Sequence, residues 1–335
     1  HFTPVLYTGT GATNSVTSLD FQPDLIWSKS RTDVGGYGHF WQDSIRGVNK
    51  RLMSNSTAGE NTLTNTLDSF DSNGFTMGAD STTEMNKSGS SYVAWNWKAG
   101  GTAASNTDGS ITSSVSANTT SGFSIVKYSG NSTTGATVGH GIDTPKMIII
   151  KSLGVENWEV YHEGIGNTKG IYLNSTGASF TTSARWNNTS PTNSVWTMGS
   201  TTAVNGSGID YVAYCFADVK GFSKFGSYAG NGSTDGTFIY TGFKPAFIMV
   251  KSAVGGTGGW QINDSARDTF NLCNKPLFAN LSDAEGVDTS WDAVSNGFKM
   301  RQGFGSKNGS GRTYIYMAFA EAPIVGSNNV PANAR

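Results

Sequence analysis

Aromatic side chains outside the regular apolar segments are the residues of this chain best suited to binding a ligand. An exposed ring can stack on the apolar face of a sugar, and neighbouring Asn or Asp side chains can hydrogen-bond to the sugar hydroxyls. Trp186 fits this description best because it lies in the polar stretch "ARWNNTSP". The other candidates for sugar contact are Tyr37, Trp158, Trp260 and Trp291. Packing inside the fold is the competing interpretation at each of these positions, and we favour it even for Trp186.

Two short motifs place an acid three residues before an arginine. They are "DSIR", from Asp43 to Arg46, and "DSAR", from Asp264 to Arg267. A carboxylate and a guanidinium at this spacing can form a structural ion pair or hold a ligand. We favour the structural ion pair.

No catalytic or metal-binding constellation is evident. The four histidines lack a partner at metal-ligand spacing, and no nucleophile elbow or phosphate loop is present. No pair of acids lies in apolar surroundings that would raise one pKa for glycoside hydrolysis. Asp71, Asn73 and Gly74 resemble part of a calcium loop, but turn residues explain them better. We therefore expect no enzyme activity, no cofactor and no metal.

Charge and cysteine content exclude further classes. The net charge is −1 and no basic cluster stands out, so we expect no nucleic-acid partner. No apolar run is long enough for a membrane helix, so we expect no membrane partner. Cys215 lies in the apolar run "YVAYCF" and is expected to be a small buried residue. A disulfide between Cys215 and Cys273 remains the alternative.

Three sequence blocks recur in the same order three times along the chain. The first is an apolar segment after a proline, "PDLIWSKS", "PKMIIIKS" and "PAFIMVKS"; the second is "SNGFTMG", "NSVWTMG" and "SNGFKMR"; the third is "SYVAWNW", "DYVAYCF" and "TYIYMAF". From the proline to the first Tyr of the third block is 69, 66 and 69 residues. Because order and spacing are kept together, the sequence predicts an internal repeat.

Each block reads as a β-strand. In the third block, alternate residues are large and apolar in every copy, which predicts that one face of this strand lies in a core. The other face is mixed and is expected to lie against a loop or a neighbouring unit. The apolar run after each proline lacks alternation, which predicts a strand buried on both faces. "Ser-Asn-Gly" in two of the second blocks predicts a hairpin turn.

The predicted fold class is all-β, with three tandem pseudo-repeats of about 100 residues. Each is expected to be a β-sandwich, jelly-roll-like, and the units can also pool strands into a larger shared structure. We place the first unit at residues 1–101, the second at 122–220 and the third at 221–323. Residues 102–121 are rich in Ser, Thr and Ala and are expected to form a linker or an exposed hairpin, while 324–335 form a C-terminal tail.

The long motifs "YSGNSTTGATVGHGIDTPKMIIIKS", "NGSGIDYVAYCFADVKGFSKFGSYAGNGSTDG" and "RTYIYMAFAEAP" carry a family resemblance. The chain resembles a domain of unknown function repeated in virion structural proteins of marine bacteriophages, including cyanophages and Pelagibacter phages. Such proteins are usually described as tail-fibre-like. The resemblance implies a location in the virion, other virion proteins as partners, a homo-oligomer with a trimer favoured, and contact with host-surface glycan. It supplies no catalytic residues.

Three functions are therefore open at the level of sequence. The first is a tail-fibre or adhesion module that binds host-surface glycan through loops between its β units. The second is a non-enzymatic capsid-decoration or fibre-shaft protein, and the third is a polysaccharide depolymerase. Because the core strands are shared, we expect any binding specificity where the units differ, in residues 31–41, 153–163, 177–193 and 253–264.

Overall fold

The computed structural model describes residues 1–33, 37–79 and 84–320. Nearly all regular structure in this part of the chain is antiparallel β-sheet, and one helix of four residues, α1 (Thr202–Asn205), interrupts it. The predicted all-β class is therefore confirmed. No helix in the described ranges is long and apolar enough to cross a membrane. The predicted C-terminal tail lies outside the described residues.

The first unit contains one large and one small sheet. Its strands are β1 (Phe2–Thr8), β2 (Asn14–Val16), β3 (Leu25–Ser30), β4 (Phe40–Asp43), β5 (Lys50–Met53), β6 (Asn61–Thr62), β7 (Leu67–Asp71), β8 (Gly74–Met77) and β9 (Ser91–Trp97). The large sheet has the order β1-β9-β3-β4-β5-β6, and the small sheet has the order β2-β8-β7.

The second unit has a similar pair of sheets, preceded by a hairpin. Its strands are β10 (Ala104–Asn106), β11 (Ser113–Asn118), β12 (Phe123–Ser129), β13 (Thr137–Gly139), β14 (Pro145–Ser152), β15 (Trp158–His162), β16 (Lys169–Tyr172), β17 (Phe180–Thr181), β18 (Val195–Thr197) and β19 (Asp210–Ala217). The large sheet runs β10-β11-β12-β19-β14-β15-β16-β17, and β13 pairs with β18.

The third unit follows the first closely. Its strands are β20 (Ser223–Ala229), β21 (Phe238–Tyr240), β22 (Pro245–Val254), β23 (Gln261–Asp264), β24 (Leu277–Phe278), β25 (Trp291–Val294), β26 (Gly297–Met300) and β27 (Thr313–Ala320). The orders are β20-β27-β22-β23-β24 and β21-β26-β25. In all three large sheets, the last strand of the unit therefore lies between the corresponding strand β1, β12 or β20 and the strand that follows the proline.

Each small sheet packs on one face of its own large sheet, which makes each unit a sandwich of unequal sheets. In the first unit, Val16 and Phe75 of the small sheet share a core with Ile26 and Ala94 of the large sheet. The second and third units have corresponding cores of their own. The four consecutive strands β3 to β6 form a meander within one sheet, whereas a jelly roll divides eight strands between two sheets.

The opposite faces of the three large sheets meet in one shared core. At its centre lie Trp97, Phe216 and Phe319, the corresponding last apolar residues of β9, β19 and β27. The ring centroids are 6.2 Å apart between Trp97 and Phe216, 6.1 Å between Phe216 and Phe319, and 5.7 Å between Trp97 and Phe319. These separations are typical of aromatic packing. The possibility that the units share a larger structure is thus realised in a common aromatic core.

The orientation of the closing strands differs in part from expectation. The large apolar face does lie in a core, as in Trp95, Tyr214 and Met317, but this core is the one between units. The mixed face, which includes Ala94 and Ala213, packs on the small sheet of its own unit.

The segment 102–121 is a hairpin that belongs to a sheet rather than a linker. β10 pairs with β11, and β11 pairs along its length with β12. Val115 and Ser116 are buried, so the hairpin is only partly exposed. Its few large side chains suffice because β12 supplies a complete row of hydrogen-bond partners.

Three corresponding lysines reach between units. Lys29, Lys151 and Lys251, from the strands that follow the prolines, are fully buried. Their Nζ atoms donate hydrogen bonds to Ser282 O (3.2 Å), Thr57 O (3.4 Å) and Ser175 O (3.2 Å) of a neighbouring unit. The first, second and third units thus contact one another in a closed ring.

Burial of these amines disfavours their charged form. It lowers the pKa of Lys29 and of Lys151 to about 8 and that of Lys251 to about 7. Nearby Asp283 and Asp33 oppose the shift at Lys29, and Glu156 opposes it at Lys151. Lys251 has the lowest pKa of the three.

We expect the protein to become more stable as the pH rises from about 7 to about 8, because the folded lysines bind fewer protons than the unfolded ones in this range. Urea unfolding across this range measures the slope. Lys251→Met should remove more than half of the slope, since Lys251, with a pKa of about 7, is mostly deprotonated across this range, whereas Lys29 and Lys151, with a pKa of about 8, are mostly protonated until its upper end. The substitution of exposed Lys220→Met is the matched control. A slope unchanged by Lys251→Met would contradict a lowered pKa of Lys251 in the folded protein.

Candidate functional site

Both predicted Asp–Arg pairs form, and both are buried. Arg46 Nε lies 2.5 Å from Asp43 Oδ2, and Arg267 Nε lies 2.6 Å from Asp264 Oδ2. The arginine and aspartate side chains are at most 1% exposed. Each aspartate also accepts a hydrogen bond from the backbone N–H of its own arginine, so the motif closes on itself at the end of a strand.

The same aspartates accept a hydrogen bond from another unit. Tyr214 Oη of the second unit donates to Asp43 Oδ2 of the first at 2.7 Å. Trp95 Nε1 of the first unit donates to Asp264 Oδ2 of the third at 2.8 Å. Because the arginines and the neighbouring units saturate these carboxylates, the pairs act as joints between units rather than as ligand clamps.

The second unit makes the corresponding contact with different side chains. His162 replaces the aspartate, and Met317 of the third unit replaces the donor ring. Burial lowers the pKa of His162 to about 4, so its imidazole is neutral at physiological pH. Nδ1 accepts from Gly164 N at 3.0 Å, and Nε2–H donates to Tyr316 O at 3.0 Å. A donor at position 317 would find no carboxylate there.

Four of the candidate sugar contacts, all tryptophans, are excluded by burial, and packing inside the fold, the interpretation we favoured, is what the structure shows at these positions. Trp158, Trp186, Trp260 and Trp291 are all 1% exposed or less, so none can stack on a ligand from solvent. Trp158 Nε1 donates to Met53 O at 2.9 Å and Trp260 Nε1 donates to Tyr172 O at 2.8 Å, in each case in the preceding unit. Trp186, despite its polar neighbours in sequence, packs against Tyr161 in the core of the second unit.

Tyr37 is the one predicted aromatic that remains partly exposed. Lys87 Nζ lies 5.5 Å from the centre of its ring. Its role in binding stays a prediction. The ranges expected to carry specificity contain buried strand residues, including Trp41, Trp158 and Gln261, and residues 34–36 lie outside the described part of the chain.

An aromatic surface that sequence analysis missed lies on the outer face of the small sheet of the third unit. In β21, Ile239 points into the core, while Phe238 and Tyr240 on either side of it are 45% and 61% exposed. The ring of Phe238 lies over Gly297, where an added Cβ would come within 3.2 Å of Phe238 Cε2 and 2.0 Å of Ile239 O. The absence of a side chain at Gly297 therefore leaves room for the Phe238 ring beside it. We call Phe238, Tyr240 and their neighbours on this face the outer aromatic surface.

The other two units carry no aromatic ring at the corresponding places. Phe238 pairs with Lys299 in the third unit. The corresponding pairs are Ser15 with Thr76 in the first unit and Thr137 with Thr197 in the second. Each of these pairs lies next to a pair of apolar residues that points into the core, so the three pairs occupy equivalent positions. The aromatic character belongs to the third unit alone.

The charges beside the rings are balanced. Lys299 Nζ lies 2.8 Å from Asp235 Oδ1, and Arg301 Nε lies 2.5 Å from Asp292 Oδ2. Two cations and two anions leave no net charge on this face. The surface can therefore accept the apolar face of an uncharged ligand and still offer polar groups around it.

Other expected sites are not assembled in the described ranges. No three His, Cys, Asp or Glu side chains there come together in a way that could hold a metal ion. Cys215 and Cys273 are both buried and unbridged, so the disulfide alternative is wrong. Burial raises the pKa of the Cys273 thiol to about 12, and the pKa of the Cys215 thiol is also raised.

Loss of the inter-unit donor should destabilise the protein. We expect Tyr214→Phe to lower the free energy of unfolding by about 1–3 kcal/mol, because the buried Asp43 carboxylate loses a partner. Urea unfolding measures the loss. Met317→Leu, at the corresponding place without a hydrogen bond, is the control and should cost less than about 1.5 kcal/mol. Equal losses of unfolding free energy in the two variants would contradict a stabilising role for the hydrogen bond between Tyr214 and Asp43.

Comparison with known proteins gives a family but no activity. No curated protein and no solved structure is significantly similar to the chain. Residues 1–323 match a family described as a domain of unknown function, DUF7483. The match spans all three units and every strand of the described residues. The chain therefore belongs to the DUF7483 family.

Proposed function

We propose that the protein is a bacteriophage virion surface protein of the tail-fibre or adhesion type, which binds host-surface glycan without cleaving it. The contact is assigned to the outer aromatic surface of the third unit, not to the tryptophans and inter-unit loops expected from the sequence. The observation that carries this proposal is the exposure of Phe238 and Tyr240 on one face of a short strand.

The geometry of this strand suits a sugar chain. Residues two apart on a β-strand lie on the same face, about 6.7 Å from each other. Two rings at this spacing offer adjacent stacking surfaces, and the Tyr240 hydroxyl adds a hydrogen-bonding group at one end. Large exposed rings on a monomeric surface are costly in water, and they often mark binding sites.

The balanced charges narrow the ligand class. Lys299 and Arg301 are each engaged by an aspartate of the same unit, so neither presents an unbalanced positive charge. An acidic polysaccharide would have to compete with Asp235 and Asp292 for these cations. We therefore favour a neutral glycan over an acidic one.

The virion setting has a different basis. It comes from the resemblance of the repeated motifs to marine-phage structural proteins, and the trimeric state and the virion partners are part of the same proposal. A phage surface protein must withstand the environment outside the cell. The shared aromatic core and the buried joints between units are compatible with that demand.

A purely structural virion role is the second candidate. Of the eight large apolar side chains exposed among the described residues, six lie in the third unit. They are Phe238, Tyr240, Phe270, Leu272, Val287 and Phe304. Such a concentration also fits a contact with other subunits, in which case the rings would be covered in the assembled virion.

We expect Phe238→Ala and Tyr240→Ala each to weaken glycan binding about tenfold, which corresponds to about 1.4 kcal/mol per ring. Binding of the whole protein to an array of bacterial surface polysaccharides, followed by adsorption to intact marine bacteria, measures this loss. Both residues are exposed, so the fold should persist, and circular dichroism checks that it does.

Ser15→Ala and Thr137→Ala are matched controls, because they change the corresponding positions of the first and second units. Neither should alter binding. If the native oligomer binds no glycan and no cells, the adhesion proposal fails and the structural role is favoured. Equal effects of the controls and the ring variants would show that the outer aromatic surface is not the site.

A further inference from the structure

We infer that a cavity at one end of the third unit binds a single neutral sugar ring, as the end of the glycan chain that lies on the outer aromatic surface. The inference rests on the proposed function and names a second subsite for it. It depends on three features of this unit: an insertion in one loop, an exposed ring on a loop held by hydrogen bonds, and a cavity lined by both apolar and polar side chains.

The insertion is specific to the third unit. Eleven positions separate Asp264 from Lys275, whereas seven separate Asp43 from Lys50 and seven separate His162 from Lys169. The four extra residues lengthen the loop between β23 and β24, which borders the cavity. A shared sandwich has thus been extended at one place, and the extension builds a concave surface.

Hydrogen bonds hold the extended loop at two points. Asn271 Nδ2 donates to Ala293 O at 2.9 Å, and Asn271 Oδ1 accepts from Ala293 N at 2.9 Å. The Asp268 carboxylate accepts from Asn263 Nδ2 at 2.8 Å and from Asn274 N at 3.1 Å. Between these points lies Phe270, with 84% of its side chain exposed. A ring held in water by a pinned loop is preorganised for stacking.

The cavity itself has about 210 Å³ of space and opens beside this ring. Ile248, Trp291 and Cys273 form apolar parts of its wall, Ser265 and Thr269 are uncharged polar parts of it, and Lys244, Asp264 and Asp268 also line it. The two carboxylates already accept hydrogen bonds from Arg267, Asn263 and Asn274. The Cys273 side chain is a neutral part of this wall, since burial raises the pKa of its thiol to about 12. Apolar walls with a few polar groups are typical of sites for small neutral ligands.

The loop also connects the cavity to the outer aromatic surface. Cys273 pairs with Trp291 of β25, so residues 271–273 extend the small sheet beyond that strand. Leu272 is 40% exposed at this edge. From there to β21 is three strand spacings, about 14 Å. A short oligosaccharide can therefore cover the sheet from Phe238 to the edge and place its last ring beside Phe270.

Saturation-transfer NMR on the whole protein tests this subsite, with glucose, galactose, mannose and N-acetylglucosamine as probes at millimolar concentration. The wild type should show transfer to at least one of them. Phe270→Ala should reduce the transfer at least fivefold, and Ala293→Leu, which narrows the cavity, should do the same. Phe304→Ala, which removes another exposed ring of the third unit, is the control and should change nothing.

The polysaccharide array separates the two proposals. Phe238→Ala should lose polysaccharide binding and keep monosaccharide transfer, whereas Phe270→Ala should lose the transfer and weaken the longer ligand only partly. Polysaccharide binding without monosaccharide transfer in the wild type would overturn the cavity assignment and leave the proposed function intact. Transfer that survives both Phe270→Ala and Ala293→Leu would overturn it as well. If the protein binds neither the polysaccharides nor the monosaccharides, the proposed function and the subsite are both overturned.

Discussion

The packing of three large sheets against one another is the constraint on which the rest of the structure depends. Trp97, Phe216 and Phe319 meet at the ends of corresponding strands, with all three ring pairs within about 6 Å. A sheet buried on both faces cannot shift its register without exposing a complete row of apolar side chains. The register of each closing strand is therefore set twice, by its own small sheet and by the other two units.

This constraint explains why buried polar groups collect between the units. A space bordered by three sheets is too wide to be filled by aliphatic side chains alone, and the long side chains that reach across it carry polar ends. An unpaired polar group in a core is costly, so partners are favoured for these ends, although the buried Nε1 atoms of Trp41 and Trp97 have none among the described residues. Trp95 and Tyr214 reach aspartates, whereas Met317 faces a histidine that is already paired with backbone atoms. The substitution of His162 for aspartate and that of Met317 for an aromatic donor are therefore one change, not two.

The sequence allowed the strands to be predicted much better than the site. The all-β class and the double burial of the strands after each proline followed from pattern alone, because periodicity reports which faces are covered. It does not report what covers them, so the large apolar face of the closing strands was correctly placed in a core, while the mixed face was assigned to the wrong neighbour. Residues 102–121 were difficult for a related reason: small polar side chains are compatible with a linker and also with an edge hairpin.

Local polarity made Trp186 the leading candidate for sugar contact, but it is a weak guide to burial in an antiparallel sandwich. Trp186 is flanked by Asn, Thr and Ser, yet its ring enters the core from a turn. An alignment of the three units contains a signal for the exposed rings of the third unit. "SVT" (15–17), "TVG" (137–139) and "FIY" (238–240) occupy corresponding positions at the edges of the small sheets, and aromatic residues flank the central apolar residue only in the third. Comparing outward positions between units, rather than searching for tryptophan, would have identified Phe238 and Tyr240.

The distribution of differences among the units gives the molecule a division of roles. The positions that face the shared core stay buried, and where the residue type changes, as from Trp95 and Tyr214 to Met317, its counterpart in the neighbouring unit changes as well. The outer faces of the small sheets contact no other unit at the positions compared, and there the units diverge from hydroxyl pairs to an aromatic and charged surface. The extended loop of the third unit lies at the same sheet. Variation on the outer faces costs the core nothing, so a binding surface can change there while the strands that hold it stay the same.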